Sequence, residues 1–405
     1  MTRRILLADA DAFYVSVARL VDPEGAGRAP LLIVGGASRR GVVTSASYEA
    51  RRFGVTSAMP MARALRLCPD ATVVPVPWDA CVDKAREIRR VLADFAPVVE
   101  TASSDEHYLD LTGTERLYRD EPLANTARRI REAVLAATRL SLSIGGGTSK
   151  LIAKMAATAC KPAGVLIVHP GEEATFLARF QLADIPMVGP RFQERLARFG
   201  LRSVEDAVRA GRDRLVDRLG AREGAWLWDR VRGLDTSRVV RRGDNKSISR
   251  DETFMEDVDD DAELHRRLLE QVDRACGDMR EGGLRARTVT VHLRDADFTD
   301  RQASRTVEAP ISSDRAVYRL ARELLARLRR ERPGPARLLG VALSQLVRDD
   351  APLQLALLEA PPATAETEKD RRVAEAVDEV RRRLGYGAVA LGRVPHPRRR
   401  TTDRE

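Results

Sequence analysis

The sequence predicts an α+β fold, and three observations carry that reading. Short apolar runs suited to strands alternate with helix-periodic segments through residues 4–167, and a stretch of short helices broken by glycine and proline follows to about residue 235. After a basic, polar stretch the alternation of strand and helix returns and continues to residue 344.

The first run, Arg4-Ile-Leu-Leu-Ala8, reads as a strand. Pro30-Leu-Leu-Ile-Val34, then Gly35-Gly36, then Gly41-Val-Val-Thr44 imply two short strands with glycine turns. Apolar residues recur at helical spacing from Asp79 to Asp94 and from Pro122 to Thr138, placing helices around the strand Pro97-Val-Val-Glu-Thr101. A mixed sheet covered by helices follows, interrupted by an insertion at about residues 12–76. Beyond Pro170, Leu182-Ala-Asp-Ile-Pro186-Met-Val-Gly189 followed by Phe192 to Phe199 resembles a helix-hairpin-helix, whose backbone N–H groups can hold DNA phosphate near Gly189. Trp226 and Trp228 read as core contacts, and Val239 to Lys246 reads as a linker. The strands Lys246 to Phe254, Arg287 to Arg294 and Ala336 to Ser344, with amphipathic helices Asp260 to Arg280 and Ser313 to Arg330, make a second, smaller α+β module. From Asp349 the compact pattern stops. Ala360 to Thr367 reads as disordered, and Lys369 to Leu384 as a basic amphipathic helix.

A chain of 405 residues can bury several substantial cores. Its 69 Lys and Arg against 60 Asp and Glu leave a formal charge of +9, a bias toward polyanionic partners. Cys68, Cys81, Cys160 and Cys276 show neither paired metal spacing nor a disulfide framework. No long apolar segment is present, so membrane spanning and secretion are disfavoured and a cytoplasmic place with reduced thiols is expected.

Two acidic clusters, Asp9-Ala-Asp11 and Ser103-Ser-Asp105-Glu106, each follow a strand-like run, so carboxylates from distant parts of the chain are presented at strand ends. Packed together without a cation, Asp9, Asp105 and Glu106 would raise one another's pKa. Mg²⁺ removes that cost, since it takes oxygen ligands and is held by a few carboxylates together with substrate phosphates; the backbone carbonyl of Ala10 is a further candidate ligand. Two such ions about 3.5–4 Å apart can clamp the attacking and leaving oxygens of an in-line phosphoryl displacement, with Mn²⁺ as a substitute. A helix N-cap or a solvated acidic turn is the ordinary alternative for either cluster alone.

Several motifs then occur in order: Asp9-Ala-Asp11-Ala-Phe13-Tyr14, Thr44-Ser-Ala-Ser-Tyr48-Glu-Ala-Arg51-Arg52-Phe-Gly54, Ser103-Ser-Asp105-Glu106-His-Tyr-Leu-Asp110, Ser143-Ile-Gly145, Lys150-Leu-Ile-Ala-Lys154, Lys161-Pro162-Ala-Gly164 and Ile185-Pro-Met-Val-Gly189. From about residue 4 to about residue 347 this series resembles the Y-family DNA polymerases, the low-fidelity class that copies damaged templates, and most closely their bacterial polymerase IV branch. The resemblance implies a right-hand polymerase with a ferredoxin-like palm at 1–11 and 77–167 and small fingers at 12–76. A helical thumb at 168–235, a linker at 236–247, a separate α+β little finger at 248–347 and a flexible tail at 348–405 complete the expected layout. It implies template-directed addition of deoxynucleotides from deoxynucleoside triphosphates to primer-template DNA, with translesion synthesis and no proofreading exonuclease. The chain is expected to act as a monomer.

Carried over residue by residue, the resemblance makes Asp9, Asp105 and Glu106 the catalytic, metal-holding carboxylates and gives Tyr48, Arg51 and Lys161 contacts to the triphosphate. Tyr14 becomes the steric gate under the sugar, with Ser45 and Ala58 as small side chains around a roomy nascent pair. Arg287 and Arg294 would lie along the DNA backbone, and Gln354-Leu355-Ala-Leu357-Leu358 resembles a peptide that docks on the sliding clamp. Met187 stands where the family usually has glycine, and Leu358 where an aromatic is common. Asp11 is expected to be structural, and Ser103 to orient the carboxylates or cap their turn. A non-catalytic DNA-damage scaffold on the same fold and a nucleotide cyclase on a related sheet are the rival readings.

Overall fold

The computed structural model describes residues 2–36, 38, 40–241, 243–349 and 366–389. They belong to two compact units, Met1–Arg242 and Gly243–Glu405. The first begins with β1 (Ile5–Ala10), α1 (Phe13–Val21), β2 (Leu32–Gly35), β3 (Val43–Ala46), α2 (Tyr48–Arg51), α3 (Met61–Leu67), β4 (Thr72–Val74) and α4 (Trp78–Ala93). It continues with β5 (Val98–Thr101), β6 (Glu106–Asp110), α5 (Leu123–Thr138), β7 (Leu142–Gly147), α6 (Lys150–Ala159) and β8 (Val165–Ile167). The helices α7 (Glu173–Ala178), α8 (Pro190–Arg198), α9 (Val204–Leu219) and α10 (Ala221–Val231) close it.

The main sheet has the order β5-β6-β1-β7-β8. Every residue of β1 is buried, as befits the centre of the sheet, and the strand pairs antiparallel with both β6 and β7. β7 and β8 are parallel, so the sheet is mixed. Side chains alternate between its faces. Leu6, Ala8 and Ala10 share a core with Ile88 and Leu92 of α4 and Ile130 and Val134 of α5. Ile5 and Leu7 instead pack with Ala153 and Ala157 of α6. Asp9 falls in this second set, so the pleat delivers its carboxylate to the α6 side. The helix comes close because Gly145, paired with Leu7 across the sheet, has no side chain. A Cβ there would stand 2.2 Å from the Ala153 carbonyl oxygen and 2.0 Å from the Ala157 nitrogen. Ser149 caps the N-terminus of α6, its hydroxyl accepting the Ile152 N–H at 3.3 Å.

The insertion folds on a three-stranded sheet, β3-β2-β4, with its own small core. Its third strand, β4, runs parallel to β2 and is an addition to the two expected. Helices α7 to α10 share a core with Leu151, Ile152 and Met155 of α6, and Trp226 and Trp228 pack against that core as expected. α9 is broken at Gly211, where φ is 81°. Part of the expected linker is not free: Val239 is buried in the α6 cluster, and the Val240 N–H donates to Glu100 Oε2 at 3.0 Å.

The second unit runs β9 (Ser247–Val258), α11 (Asp261–Glu281), β10 (Leu284–Asp295), β11 (Asp300–Ile311), α12 (Asp314–Glu331), β12 (Ala336–Arg348) and α13 (Glu368–Leu384). Its sheet, β11-β10-β12-β9, is antiparallel throughout, and β11 is a strand the sequence reading lacks. The apolar faces of α11 and α12 fill a core with Val289, Val291, Leu339 and Val341 of the central strands. Glu366 and Thr367, expected within a disordered stretch, are ordered instead. Glu366 Oε1 accepts the Ser312 N–H at 2.8 Å, and Thr367 and Asp370 form a capping box at the start of α13. The tail expected to be flexible therefore includes a docked helix, held by Arg381 on Asp273 at 2.8 and 2.9 Å and by Arg280 on Asp378 at 2.6 and 2.9 Å. Gln354, Leu355, Leu357 and Leu358 lie outside the described residues. Among the described residues no helix is long and apolar enough to cross a membrane.

Candidate active site

Asp9 and Glu106 are directly opposed on β1 and β6. The Ala10 N–H donates to the Asp105 carbonyl at 2.9 Å, which brings the second acidic cluster alongside the first. Ser103 shapes the turn: its hydroxyl donates to Asp105 Oδ1 at 2.6 Å and accepts the Glu106 N–H at 3.1 Å. Like charges opposite one another across a sheet are destabilising, and two ammonium groups answer that here. Lys154 of α6 donates to Asp9 Oδ2 at 3.2 Å and to Glu106 Oε1 at 2.7 Å, while Lys161 donates to Asp9 Oδ1 at 2.5 Å. Burial works against the charge on Lys154, but Asp9 and Glu106 outweigh it and hold its pKa above the ordinary lysine value. Among the described residues, no three His, Cys, Asp or Glu side chains are gathered into a group that could hold a metal ion; the Asp9 and Glu106 oxygens are engaged by the lysines.

Beside this pair, Asp11 is buried and fully employed. It accepts from Ser143 Oγ at 2.7 Å, Ser141 Oγ at 2.8 Å, the Ala163 N–H at 2.9 Å and the Tyr48 hydroxyl at 3.3 Å. Burial first, and then the Asp11 charge, push the Tyr48 phenol up to about 12. Ser47 caps α2, and the Arg51 Nε donates to the Ala46 carbonyl at 2.9 Å, with its guanidinium carbon 5.0 Å from the centre of the Tyr48 ring. Ser45 is buried on β3. Tyr14 opens α1 beside Phe13, its hydroxyl 3.0 Å from Ser104 Oγ.

The fold thus sets Asp9 opposite Glu106 with Lys154 and Lys161 on them, brings the Asp105 backbone alongside while Ser103 holds its carboxylate, and ties Tyr48 to neighbouring Asp11. Gly189 lies apart as the N-cap of α8, in extended backbone; the left-handed conformation belongs to Met187 (φ 76°), which is 86 % exposed. That backbone is the reason glycine suits position 187. In the second unit Arg287 sits on β10 with its Nε buried and unbonded, and Arg294 makes a two-pronged pair with Asp300 at 2.6 and 3.0 Å. Sequence reasoning quoted two participants within motifs but gave them no role. Lys154 stands one helical turn after Lys150 behind a capped N-terminus, a signal that a helix projects ammonium groups toward one spot. Ser104 carries no signal beyond its place next to Ser103.

At one end of a mixed sheet an acidic pair therefore stands beside two lysines and a half-buried tyrosine. Residues 8–158 match the impB/mucB/samB family and residues 245–357 match the C-terminal domain of that family. DNA polymerase IV of Dehalococcoides mccartyi is 33% identical over 391 residues, covering 96% of this chain and 97% of that protein. DNA polymerase IV of Halorhodospira halophila is 38% identical over 344 residues, 85% of this chain and 95% of that one. Among solved structures, a Y-family DNA polymerase chimera of Dbh and Dpo4 superposes with a TM-score of 0.75 at 24% identity, covering 85% of this chain and 99% of that chain. With these relatives and this architecture the chain is a DNA-directed DNA polymerase of the right-hand α+β class. Within that class the chain belongs to the impB/mucB/samB family, the Y-family polymerases of the DinB type, and its function is translesion DNA synthesis. Enzymes of this family depend on divalent metal.

Proposed function

We propose that Asp9, Asp105 and Glu106, with the Ala10 carbonyl, hold two Mg²⁺ ions, for which Mn²⁺ can substitute, and that the chain there adds deoxynucleotides to the 3′ end of a primer on template DNA. The observation that carries this reading is the direct opposition of Asp9 and Glu106 across β1 and β6, neutralised by ammonium groups. An all-oxygen donor set suits a hard divalent cation. When bound, the metal would activate the primer 3′ oxygen and neutralise charge on the triphosphate. Lys161 then exchanges its Asp9 partner for a phosphate oxygen. Lys154 stays on Glu106 and keeps the acidic pair from accumulating uncompensated charge. Arg51 and Tyr48 bind the triphosphate, Tyr48 by turning its single O–H from Asp11 to a phosphate oxygen. Tyr14 stands under the sugar, while Ser45 and Ala58 leave room around the nascent pair.

The main sheet with its helices serves as palm (1–11 and 77–167), the three-stranded insertion as fingers (12–76), α7 to α10 as thumb (168–235) and the second unit as little finger (248–347). Gly189, Arg287 and Arg294 meet the DNA backbone, for which Arg294 must release Asp300. The peptide at 354–358 docks on the sliding clamp, and the enzyme works as a monomer in the cytoplasm. Primer extension on undamaged and lesion-containing templates tests the core of this reading. The wild-type chain extends both. The double variant Asp105→Ala/Glu106→Ala extends neither while still shifting primer-template DNA in a gel; extension by that variant at the wild-type rate overturns the assignment.

A further inference from the structure

The Tyr14 ring is met edge-on by Phe13, with centroids 5.2 Å apart, and by Trp78 at 5.9 Å. Beside it opens a cavity of about 210 Å³, lined by Tyr14, Trp78, Cys81, Ala85, Ser104 and His107 among others. This space lies on the α4 side of the sheet. Glu106 is engaged from the α6 side by Lys154, and His107, the next residue of β6, therefore projects the other way. Tyr14 is partly buried against two neighbouring cores, and the cavity leaves its ring room to tilt on this side. His107 Nε2, buried and without a partner, offers a tilted hydroxyl somewhere to go. The polar end of the ring is tied by the hydrogen bond between the Tyr14 hydroxyl and Ser104 Oγ, at 3.0 Å. Ser104 belongs to the same turn as Ser103, Asp105 and Glu106, so one short segment carries both the ring's anchor and the metal-facing carboxylates.

We propose that Ser104 is a positioning residue for sugar selection, its hydrogen bond keeping the Tyr14 ring upright against the incoming sugar and in register with the acidic turn. The proposal rests on the reading of Tyr14 as the wall beneath the sugar. Selectivity against ribonucleotides then depends on a hydroxyl pair as well as on the bulk of a ring.

The test is the ratio of kcat/KM for a deoxynucleotide to that for the matching ribonucleotide, in single-nucleotide primer extension by the full chain. Ser104→Ala and Tyr14→Phe each lower that ratio about fivefold, the factor set by one neutral hydrogen bond, through a gain in ribonucleotide kcat/KM. The double variant falls no further than either single, and Ser104→Thr, which keeps the hydroxyl, restores the ratio. Additive losses, or an unchanged ratio in Ser104→Ala and Tyr14→Phe while Tyr14→Ala admits ribonucleotides, overturn the proposal and leave the wall standing. An unchanged ratio in Tyr14→Ala overturns the wall itself, and the proposal with it.

Discussion

Replacing Lys154 by methionine keeps the stem of the side chain along α6 and deletes the ammonium that bridges Asp9 Oδ2 and Glu106 Oε1 at 3.2 and 2.7 Å. The two carboxylates sit on directly opposed residues of neighbouring strands, a separation of about 5 Å. At an effective dielectric of about 20 their mutual repulsion is about 3 kcal/mol. Lys161 still neutralises Asp9, so the net loss is about 2 kcal/mol, in the range of a charge-assisted hydrogen bond removed from a half-buried site. For a unit of 242 residues that lowers Tm by about 4–8 °C. The readout is thermal unfolding followed by dye fluorescence, in EDTA and in Mg²⁺. In EDTA the variant melts below the wild type by that margin; in Mg²⁺ most of the gap closes, because a cation can now take the place the ammonium held. Equal melting temperatures in EDTA, or an equal gain from Mg²⁺ in both proteins, would refute the claim that Lys154 balances the acidic pair.

Three further outcomes follow from the geometry. Asp314 is buried under Arg280, and burial foremost, against the pull of Arg280 and with the help of Asp273, raises its carboxyl from 3.8 to about 6. A folded pKa above the unfolded one means that the native state binds the extra proton between those values, so this group's favourable contribution is present below about pH 4 and lost as pH rises through about 6. In urea titrations of the full chain, Asp314→Asn therefore gains stability relative to wild type between pH 4.5 and 7.5; a pH-independent difference contradicts it. Arg381→Ala strands Asp273 beneath α13 and costs about 3 kcal/mol, read as faster hydrogen exchange along Glu368–Leu384 with little change across β10. Gly145→Ala drives a methyl into the backbone of α6, destabilises by about 1–3 kcal/mol or more, and lowers primer extension by displacing Lys154.

The parts of the fold that sequence made legible are those with a clear apolar period. β1, α4, α5, α11 and α12 each bury one face or the whole element, and their limits fall within a few residues of expectation. β11 escaped because it is an edge strand whose buried residues are few: along Asp300–Ile311 only Ala303, Pro310 and Ile311 are buried, so no alternation marks it. β4 escaped because Thr72-Val-Val is short and followed by Pro75 and Pro77. At the site, Asp9, Asp105 and Glu106 were legible as motifs. Lys154 stood in a quoted motif, but its role was not legible, since its partner Asp9 lies 145 residues away. The engagement of Arg294 by Asp300 was hidden for a related reason, because pairing across a hairpin becomes visible only once the second strand is recognised.

Gly145 has a longer reach than its size suggests. Where α6 rests on β7, main chain meets main chain, and a peptide unit has no rotamers to exchange. The spacing of helix and sheet is consequently fixed as by a machined shim. Substitutions among the surrounding aliphatic residues, and the loosening that comes with warmth, change the oil around the joint while the height of Lys154 above the acidic pair stays constant. Tolerance for drift elsewhere in the core follows from the absence of a single methyl group.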